Sequence, residues 1–275
     1  MMAVNDLIAC GAMPVIYLDE VAAGDSEWFQ DDKRSKDLAF SYFDACEIAS
    51  MALPAGESPA LRYLVKAEPP VKSAPSLSGC ATGIIRPGQE VITGEKVKSG
   101  DVILGVLSSG LHANGISLVI KWAMSLPDQF LTKIGNSTLG DEALIPTRCY
   151  VDLVEGIYRR EMDQYVHAYV PGTGGGVAKV AFDKRSMTYR IHSWIKDIPP
   201  LLLFMRELGV SLKDCLETFN WGIGYYIFVS PIDAQVFIST GQRLGYEIVE
   251  IGRVEEGERK VIFEPENITL PPPGE

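Results

Sequence analysis

The chain has 275 residues, 47% of them hydrophobic, and a formal net charge of −11 at pH 7. Its length predicts two domains, or one large domain with a sizeable core, and its acidity argues against nucleic acid, which requires clustered Lys and Arg. No apolar run reaches the roughly 18 residues of a membrane span, and no basic amphipathic stretch indicates a membrane surface. The five cysteines are scattered and the N-terminus lacks a basic region, so we expect reduced thiols, no secretory signal and a cytoplasmic protein.

The first third of the chain predicts the order helix, strand, helix, strand, strand. Its second helix is the clearest element, because Leu38, Tyr42 and Cys46 recur at four-residue intervals. The predicted elements are a helix over 4–10, a strand over 15–18, an amphipathic helix over 34–52, and strands over 77–85 and 89–93. Proline and glycine residues between 54 and 70 predict a loop-rich passage.

A turn at 98–101 predicts a boundary between an N-terminal domain, 1–97, and a C-terminal domain, 98–275. In the second domain we expect strands over 102–107, 165–170, 223–229 and 247–254, and helices near 114–125, 147–161, 177–181, 199–208 and after Ser211. The proline-rich residues 265–275 predict a loose tail. Mixed strands and helices of this kind indicate an α+β or α/β fold.

A polar turn lies between the strand at 102–107 and the helix that follows it. Residues 107–115 read Leu-Ser-Ser-Gly-Leu-His-Ala-Asn-Gly, which places Ser109, His112 and Asn114 beside bare glycine N–H groups at a helix start. Such groups suit an anionic ligand. An ordinary strand-to-helix turn with a capping residue is the alternative.

A second turn contains Thr173 followed by Gly174, Gly175 and Gly176. Consecutive glycines let the backbone approach a ligand closely and leave N–H groups free for a phosphate. The sequence is neither a Walker A motif nor the GxGxxG motif. A flexible structural turn explains it equally well.

Asn220 lies between Phe219 and Trp221, directly before the start of a strand containing Gly222 and Gly224. An amide between aromatic rings suits the wall of a site for a planar base or ring. A bulged core strand with packed aromatic residues is the other interpretation.

Several charged or amide side chains occupy positions where a ligand would be held. Asn5 and Asp6 begin a helix, Asp19 ends a strand, and Glu57 follows a glycine in a loop. Carboxylates there suit Mg²⁺, which takes a few oxygen ligands in addition to substrate phosphates. Arg148 suits a bidentate contact with phosphate. The simpler alternative for each of these side chains is a structural one: a helix cap, a solvent-exposed acid or a surface salt bridge.

Eight short motifs occur together in one order. They are Val4-Asn5-Asp6, Gly11-Ala12-x-Pro14 with Tyr17-Leu18-Asp19, Gly56-Glu57-Ser58, Gly100-Asp101-Val102, Ser108-Ser109-Gly110-x-His112-x-Asn114-Gly115, Pro146-Thr147-Arg148, Thr173-Gly174-Gly175-Gly176, and Thr218-Phe219-Asn220-x-Gly222-x-Gly224. From residue 4 to about residue 254 this order resembles the phosphoribosylformylglycinamidine cyclo-ligase family, the aminoimidazole ribonucleotide synthetases.

The resemblance implies a two-domain fold of the aminoimidazole ribonucleotide synthetase type, in which the first domains pair as a β-barrel in a homodimer and the active site lies in the cleft between domains. Members of this family carry an upstream Asp-Gly-Val-Gly-Thr-Lys motif that contributes to ATP binding. The chain contains no copy of it, so we expect a truncated first domain, the ATP and dimerisation domain at 1–97, followed by the substrate domain at 98–275.

The resemblance also implies a reaction, the ATP- and Mg²⁺-dependent closure of formylglycinamidine ribonucleotide to aminoimidazole ribonucleotide in purine biosynthesis. ATP would phosphorylate the amide oxygen, the amine nitrogen would close the ring, and phosphate would leave. The implied site residues fall into four sets: Asp6 as Mg²⁺ ligand; Asn5, Asp6, Asp19 and Glu57 on the nucleotide, with Asp19 and Glu57 in the same cleft; Ser109, His112 and Asn114 as catalytic residues facing the substrate; and Arg148, Thr173, Gly174, Gly175, Gly176 and Asn220 on the substrate and its phosphate.

Two alternatives stay open on the sequence alone. One is a non-catalytic paralogue that binds a nucleotide or a partner chain, for which the missing upstream motif is the main argument. The other is a different ATP-using enzyme of the same superfamily, such as a relative of thiamine monophosphate kinase or selenophosphate synthetase.

Overall fold

The computed structural model describes residues 1–69 and 71–274. Pro70, from the predicted loop passage, and Glu275, at the end of the predicted tail, lie outside the described residues. The helices are α1 (Met2–Ala9), α2 (Asp32–Ile48), α3 (Ile116–Ala123), α4 (Leu139–Ala143), α5 (Val151–Tyr158), α6 (Pro200–Glu207), α7 (Leu212–Thr218) and α8 (Ala234–Arg243). The strands are β1 (Met13–Ala23), β2 (Ala52–Glu57), β3 (Pro75–Ile84), β4 (Val102–Leu107), β5 (Lys133–Ile134), β6 (Ser137–Thr138), β7 (Val166–Pro171), β8 (Met187–Ile191), β9 (Ile223–Val229), β10 (Ile248–Glu256), β11 (Lys260–Phe263) and β12 (Ile268–Leu270).

A seven-stranded sheet with the order β12-β11-β8-β10-β4-β9-β7 forms the centre of the molecule. Its neighbouring strands are antiparallel except for β11 and β8. β4 and β9 are continuous apolar runs, and every residue of β9 is buried, because helices cover both faces of the sheet. Core residues of α3, α4, α6 and α7 pack on one face, and those of α1, α5 and α8 pack on the other.

A smaller sheet, β2-β1-β3, precedes the central one. β1 is parallel to β2 and antiparallel to β3. On one face, Val21 and Trp28 pack with Leu38 and Tyr42 of α2. All residues of β2 are exposed, and Leu18 in β1 is 40% exposed. The small sheet therefore has one covered face and one open face.

The first helix packs into the core of the central sheet, and it also contacts β1 and β3 of the small sheet. Val4 and Ile8 are fully buried in the core cluster that contains β4, β9 and α5. Asn5 donates through Nδ2 to the carbonyl oxygen of Arg148 (2.8 Å) and accepts through Oδ1 from the N–H of Tyr150 (3.1 Å). These two bonds fix the position of α1 against the start of α5.

The α+β fold class predicted from the sequence is confirmed, and the strands at 102–107 and 223–229 have the predicted bounds. The strand predicted over 89–93 is wrong. That segment is irregular, since its Ile92 N–H bonds to the carbonyl oxygen of Cys10 and not to a strand. β2 was predicted as loop and exists because β1 pairs with it. The division at residue 97 stays a prediction.

Elements of the C-terminal part depart from expectation in three places. The tail predicted as loose contains β12, which pairs with β11 and buries Leu270 completely. The predicted helix after the glycine turn is a 3-10 helix, Gly176–Ala181. β8, β11 and α8 had no clear sequence signal. Among the described residues, no helix is both long enough and apolar enough to cross a bilayer.

Candidate functional site

The glycine turn between β7 and the 3-10 helix is shaped by positions that exclude any other residue. Gly174, Gly175 and Gly176 have φ values of 81°, 90° and 57°, in the left-handed region that favours glycine. A Cβ at Gly172 would lie 2.5 Å from the carbonyl oxygen of Ile223. A Cβ at Gly176 would overlap the backbone of α7. The turn, residues 172–176, is called the glycine loop below.

The polar turn predicted at 107–115 links β4 to α3, and hydrogen bonds hold its first residues. The Ser108 N–H donates to the carbonyl oxygen of Gly222 (2.8 Å), and Ser109 Oγ donates to the carbonyl oxygen of Pro146 (2.7 Å). His112 has a φ of 59°, a left-handed conformation that is uncommon for residues other than glycine and often marks functional sites. The turn is called the Ser-His turn below.

His112 is a buried, neutral imidazole. Only 5% of the residue is exposed, and burial, with a contribution from nearby Arg148, lowers its pKa to about 4. Its Nε2 accepts from the Ser109 N–H at 3.4 Å, which places the proton on Nδ1. Within the described residues, Nδ1 is buried without a hydrogen-bond partner. At neutral pH this side chain therefore offers an N–H donor and carries no charge.

A glycine on the neighbouring strand makes room for this imidazole. A Cβ at Gly224 would overlap both the His112 ring and the hydroxyl of Tyr150. The Tyr150 hydroxyl donates to the carbonyl oxygen of Leu107 at 3.0 Å. The Gly-x-Gly pattern that followed Asn220 in the sequence thus serves close packing against the Ser-His turn.

The Ser-His turn, the glycine loop and α1 converge at one end of the central sheet. A Cβ added to Gly174 would lie 3.4 Å from Asn114 Nδ2 and 3.6 Å from Lys179 Nζ, so both side chains lie next to this glycine. Lys179 Nζ donates to the carbonyl oxygen of Thr173 at 2.9 Å. Partial burial raises the pKa of Asp6, and the charge of Lys179 opposes that rise, so the two side chains lie within electrostatic range. Sequence reasoning missed Lys179, whose neighbours resemble an ordinary core segment.

A cavity of about 820 Å³ opens beside the glycine loop. Its lining includes Gly174, Gly175, Lys179, Lys184 and Arg259. This cavity, called the basic pocket below, concentrates positive charge in a chain of net charge −11. A binding site for an anion is the chemical role that such a lining supports.

Arg148 lies next to the Ser-His turn, but its guanidinium already has partners. It stacks over the ring of Tyr246 with its Cζ 4.5 Å from the ring centroid, and it donates to the carbonyl oxygen of Gly245 at 3.0 Å. Its positive charge contributes to the low pKa of His112. The predicted phosphate contact of Arg148 stays a prediction.

Two predicted ligand-binding amides act as internal clamps in the structure. The amide of Asn5 joins α1 to residues 148 and 150, as described above. Asn220 is buried; its Nδ2 donates to the carbonyl oxygens of Gly110 (2.9 Å) and Leu111 (3.1 Å), and its Oδ1 accepts from the Gly222 N–H (2.8 Å). Both side chains use their polar atoms for hydrogen bonds within the chain. The ligand contacts predicted for them stay a prediction.

The expectation that Asp19 and Glu57 line one cleft does not agree with the register of the small sheet. Asp19 pairs with Gly56, and Glu57 pairs with Glu20. Because successive strand residues point to opposite faces, Asp19 and Glu57 lie on opposite faces. Asp19 faces α2, in a cavity of about 360 Å³ that is also lined by Trp28.

The carboxylate of Asp6 fits one ligand of a nucleotide-bound Mg²⁺. Asp6 lies at the surface beside the glycine loop, and Mg²⁺ in nucleotide sites takes one or two carboxylates together with phosphate oxygens and water. Within residues 1–69 and 71–274, no group of three His, Cys, Asp or Glu side chains lies close enough to hold a metal ion. The remaining ligands would therefore come from the nucleotide and from water.

With the Ser-His turn and the glycine loop at one end of a central sheet that helices cover on both faces, the chain matches the class of AIR synthase related proteins. The model of the C-terminal domain of these proteins matches residues 98–264. A complex of the hydrogenase maturation protein HypE with ATP has the same fold, with a TM-score of 0.62, 15% identity, and coverage of 98% of this chain and 76% of that one.

Comparison with curated proteins narrows the class to one family. The phosphoribosylformylglycinamidine cyclo-ligase of Alkaliphilus oremlandii is 32% identical over 274 residues, covering 95% of this chain and 75% of the relative. The enzyme of the same name from Carboxydothermus hydrogenoformans is 33% identical over 274 residues, covering 95% and 74%. The chain belongs to the phosphoribosylformylglycinamidine cyclo-ligase family.

Proposed function

We propose that this chain closes the imidazole ring of aminoimidazole ribonucleotide from formylglycinamidine ribonucleotide, using ATP and Mg²⁺. The observation that carries the proposal is the convergence of Asp6, the Ser-His turn and the glycine loop at one end of the central sheet. These three elements are distant in sequence, and they contain three of the motifs on which the family resemblance rests. Phosphoryl transfer relies mainly on positioning and on charge neutralisation, which this set of groups can supply.

In this proposal Asp6 is the protein ligand of Mg²⁺, and Lys179 adds a fixed positive charge beside it. When bound, Mg²⁺ neutralises charge on the phosphate oxygens of the nucleotide. The exposed position of Asp6 in the middle of α1 keeps its carboxylate accessible. Asn5 acts one residue earlier, by holding α1 against residues 148 and 150.

The neutral state of His112 defines its proposed role. With a pKa of about 4, the imidazole is not a proton shuttle near pH 7, where general acid–base catalysis needs a pKa close to the working pH. We propose instead that its unpartnered Nδ1–H, which is buried in this structure, donates a hydrogen bond to the substrate once the Ser-His turn opens, as neutral imidazoles do when they polarise an oxygen. Asn114, beside Gly174, supplies a second N–H donor to the same region.

The open face of the small sheet supports the proposed homodimer. Leu18 and Cys80 are paired across β1 and β3 on that face, and both are exposed. A second copy of the chain would cover these residues in the barrel that the family resemblance implies. All five cysteines are free thiols, which supports the proposed cytoplasmic location.

Incubation with formylglycinamidine ribonucleotide, ATP and Mg²⁺ tests the reaction, with ADP and aminoimidazole ribonucleotide measured together. We expect the two products in equal amounts. ADP without the imidazole product would favour another ATP-using enzyme of the superfamily. Thermal stabilisation by ATP without any ADP would favour the non-catalytic paralogue.

Replacing Asp6 tests the site itself. Asp6→Asn removes the charge with little change of shape, so we expect kcat to fall by about 10²-fold or more while the melting temperature stays within about 2 °C of the parent. Asp152→Asn, on the exposed first turn of α5, is the matched control and should keep full activity. Equal activity of the two variants would contradict the proposed role of Asp6.

A further inference from the structure

The covered face of the small sheet holds a cavity of a different kind from the basic pocket. Its volume is about 360 Å³, within the range of small-molecule sites, which begins at about 300 Å³. Within the part of the chain that the structure describes, the one charged side chain of its lining is Asp19. The aromatic and apolar side chains of the lining include Val21, Trp28, Phe29, Leu38 and Tyr42. The cavity lined by these side chains and Asp19 is called the aromatic pocket below.

Two glycines leave room around the carboxylate of Asp19. In the small sheet, Asp19 pairs with Gly56 of β2 on one side and with Gly79 of β3 on the other. A Cβ at Gly56 would overlap the carboxylate of Asp19, and a Cβ at Gly79 would overlap the hydroxyl of Tyr17. At this level of the sheet, neither neighbouring strand carries a side chain, so the pocket has an open floor next to Asp19.

The carboxylate of Asp19 has no partner of its own. Within residues 1–69 and 71–274, no hydrogen bond or ion pair joins it to another group, although the residue is only partly exposed. Burial raises the pKa of Tyr42, and the negative charge of Asp19 raises it further, so the carboxylate acts on the aromatic wall. Burying a charge without a partner is costly, and a cationic ligand would supply that partner.

The aromatic wall also favours positive charge. The face of a Trp, Tyr or Phe ring attracts a cation electrostatically. Trp28 already makes such a contact within the chain, since Arg34 Cζ lies 5.0 Å from the centroid of its ring. Among the described residues, no cation lines the aromatic pocket, so a phosphate would meet only the repulsion of Asp19.

We propose that the aromatic pocket binds a small organic ammonium ion, with the ammonium on the carboxylate of Asp19 and the apolar body of the ligand against Trp28 and Tyr42. This site goes beyond the proposed ring closure, and it gives Asp19 a ligand of opposite charge to a nucleotide phosphate. Successive strand residues point to opposite faces, so Asp19 lies on the other face of β1 from Leu18. The pocket therefore stays accessible when a second copy of the chain covers Leu18.

Calorimetric titration of the full chain with three probes tests the charge preference of the pocket. Benzylammonium, benzyl alcohol and benzoate share one ring and differ in charge. We expect benzylammonium to bind, with an affinity that falls as salt is added, and benzyl alcohol to bind about tenfold or more weakly. Benzoate or benzyl alcohol binding as tightly as benzylammonium, or no binding of benzylammonium at about 10 mM, overturns the proposal.

Two variants place the binding in the aromatic pocket. Asp19→Asn removes the charge and breaks no hydrogen bond within the described chain, so the melting temperature should stay within about 2 °C of the parent. Its affinity for benzylammonium should fall by about tenfold or more, while its affinity for benzyl alcohol stays unchanged. Ala39→Trp, at an exposed residue of α2 that lines the pocket, fills it with a ring and should cause loss of binding of both probes.

Asp44→Asn is the matched control, because Asp44 is an exposed carboxylate of α2 outside the pocket lining. It should bind benzylammonium as the parent does. Benzylammonium binding that Asp19→Asn or Ala39→Trp leaves intact overturns the proposal. The result is independent of the proposed function: binding through Asp19 by a protein that forms no aminoimidazole ribonucleotide supports the pocket and overturns only the reaction.

Discussion

The two sheets of this molecule differ in how they are covered. The central sheet has helices on both faces and buries all of β9, so it holds the Ser-His turn and the glycine loop on a rigid support. The small sheet is covered by α2 on one face, while its other face exposes Leu18. The comparison shows that the central sheet is covered on both faces within one chain, whereas the small sheet keeps one open face, where we propose that a second copy packs.

Helix α1 crosses between these two regions. Its position in the sequence assigns it to the small sheet, whereas its core residues and the Asn5 hydrogen bonds assign it to the central sheet. The side chain proposed to bind Mg²⁺, Asp6, is therefore positioned by the central sheet. The division at residue 97 predicted from the sequence separates elements that work together at the site.

The largest expected loss of stability comes from releasing α1 from the central sheet. Asn5→Ala leaves the carbonyl of Arg148 and the buried N–H of Tyr150 without their partner, which should cost about 3 kcal/mol of unfolding free energy. Urea denaturation measures it. Asn136→Ala, in the exposed β5–β6 turn, is the control and should change stability by less than about 0.5 kcal/mol. Equal losses in both variants would show that α1 does not depend on the central sheet.

A smaller loss of stability is expected at low pH, from protonation of His112. The pKa of His112 is about 4 in the folded protein and about 6.5 when unfolded. Between pH 4 and pH 6.5 the unfolded chain therefore binds one proton more than the folded protein. The stability that the neutral imidazole gives the folded protein is complete above pH 6.5 and is lost as the pH falls towards 4. At pH 5 the loss should be about 2 kcal/mol.

Replacing the imidazole isolates this contribution. His112→Asn removes the titrating group and keeps a residue that tolerates the left-handed backbone. Its unfolding free energy should fall less than that of the parent between pH 7 and pH 5. His192→Gln, at an exposed histidine outside the Ser-His turn, is the control. An unchanged pH profile in His112→Asn would contradict the neutral, buried state of His112.

The smallest effect on folding is expected at the open face of the small sheet. Leu18→Asp places a charge on the face proposed to pair, and should convert the dimer to a monomer in sedimentation while changing the stability of the chain by less than about 0.5 kcal/mol. Leu131→Asp, at a residue that is 74% exposed in a different region, should leave the oligomeric state unchanged. A dimer that survives Leu18→Asp would place the interface elsewhere.

The sequence predicts the interior of the central sheet well and its edge poorly. β4 and β9 are unbroken apolar runs, which identify strands buried on both faces. β12 is a short strand at the edge and β11 is the short strand next to it, and both form because a neighbouring strand pairs with them. β2 contains Pro54 and Gly56 and has no strand signal of its own, so only its pairing with β1 defines it.

For the site, the sequence predicts the turns better than the roles of their side chains. The glycine loop and the Ser-His turn are recognisable as motifs because their backbone conformations require particular residue types. An amide such as Asn220 has the same appearance in a sequence whether it contacts a ligand or the protein itself, and only the structure shows its hydrogen bonds to the backbone of residues 110, 111 and 222 and to the Ser108 hydroxyl. Lys179 was missed for the converse reason, since nothing in its local sequence indicates that Asp6 lies nearby.

The docking of α1 also bears on the order in which the chain folds. The two hydrogen bonds of Asn5 span 143 and 145 residues of sequence. Contacts of such long range are slow to form, because loop closure has to occur before they contribute any stability. During synthesis, the hydrogen-bond partners of Asn5 are absent until residues 148–150 have emerged. We therefore expect the site to be assembled late in folding, when α1 joins a central sheet that has already formed.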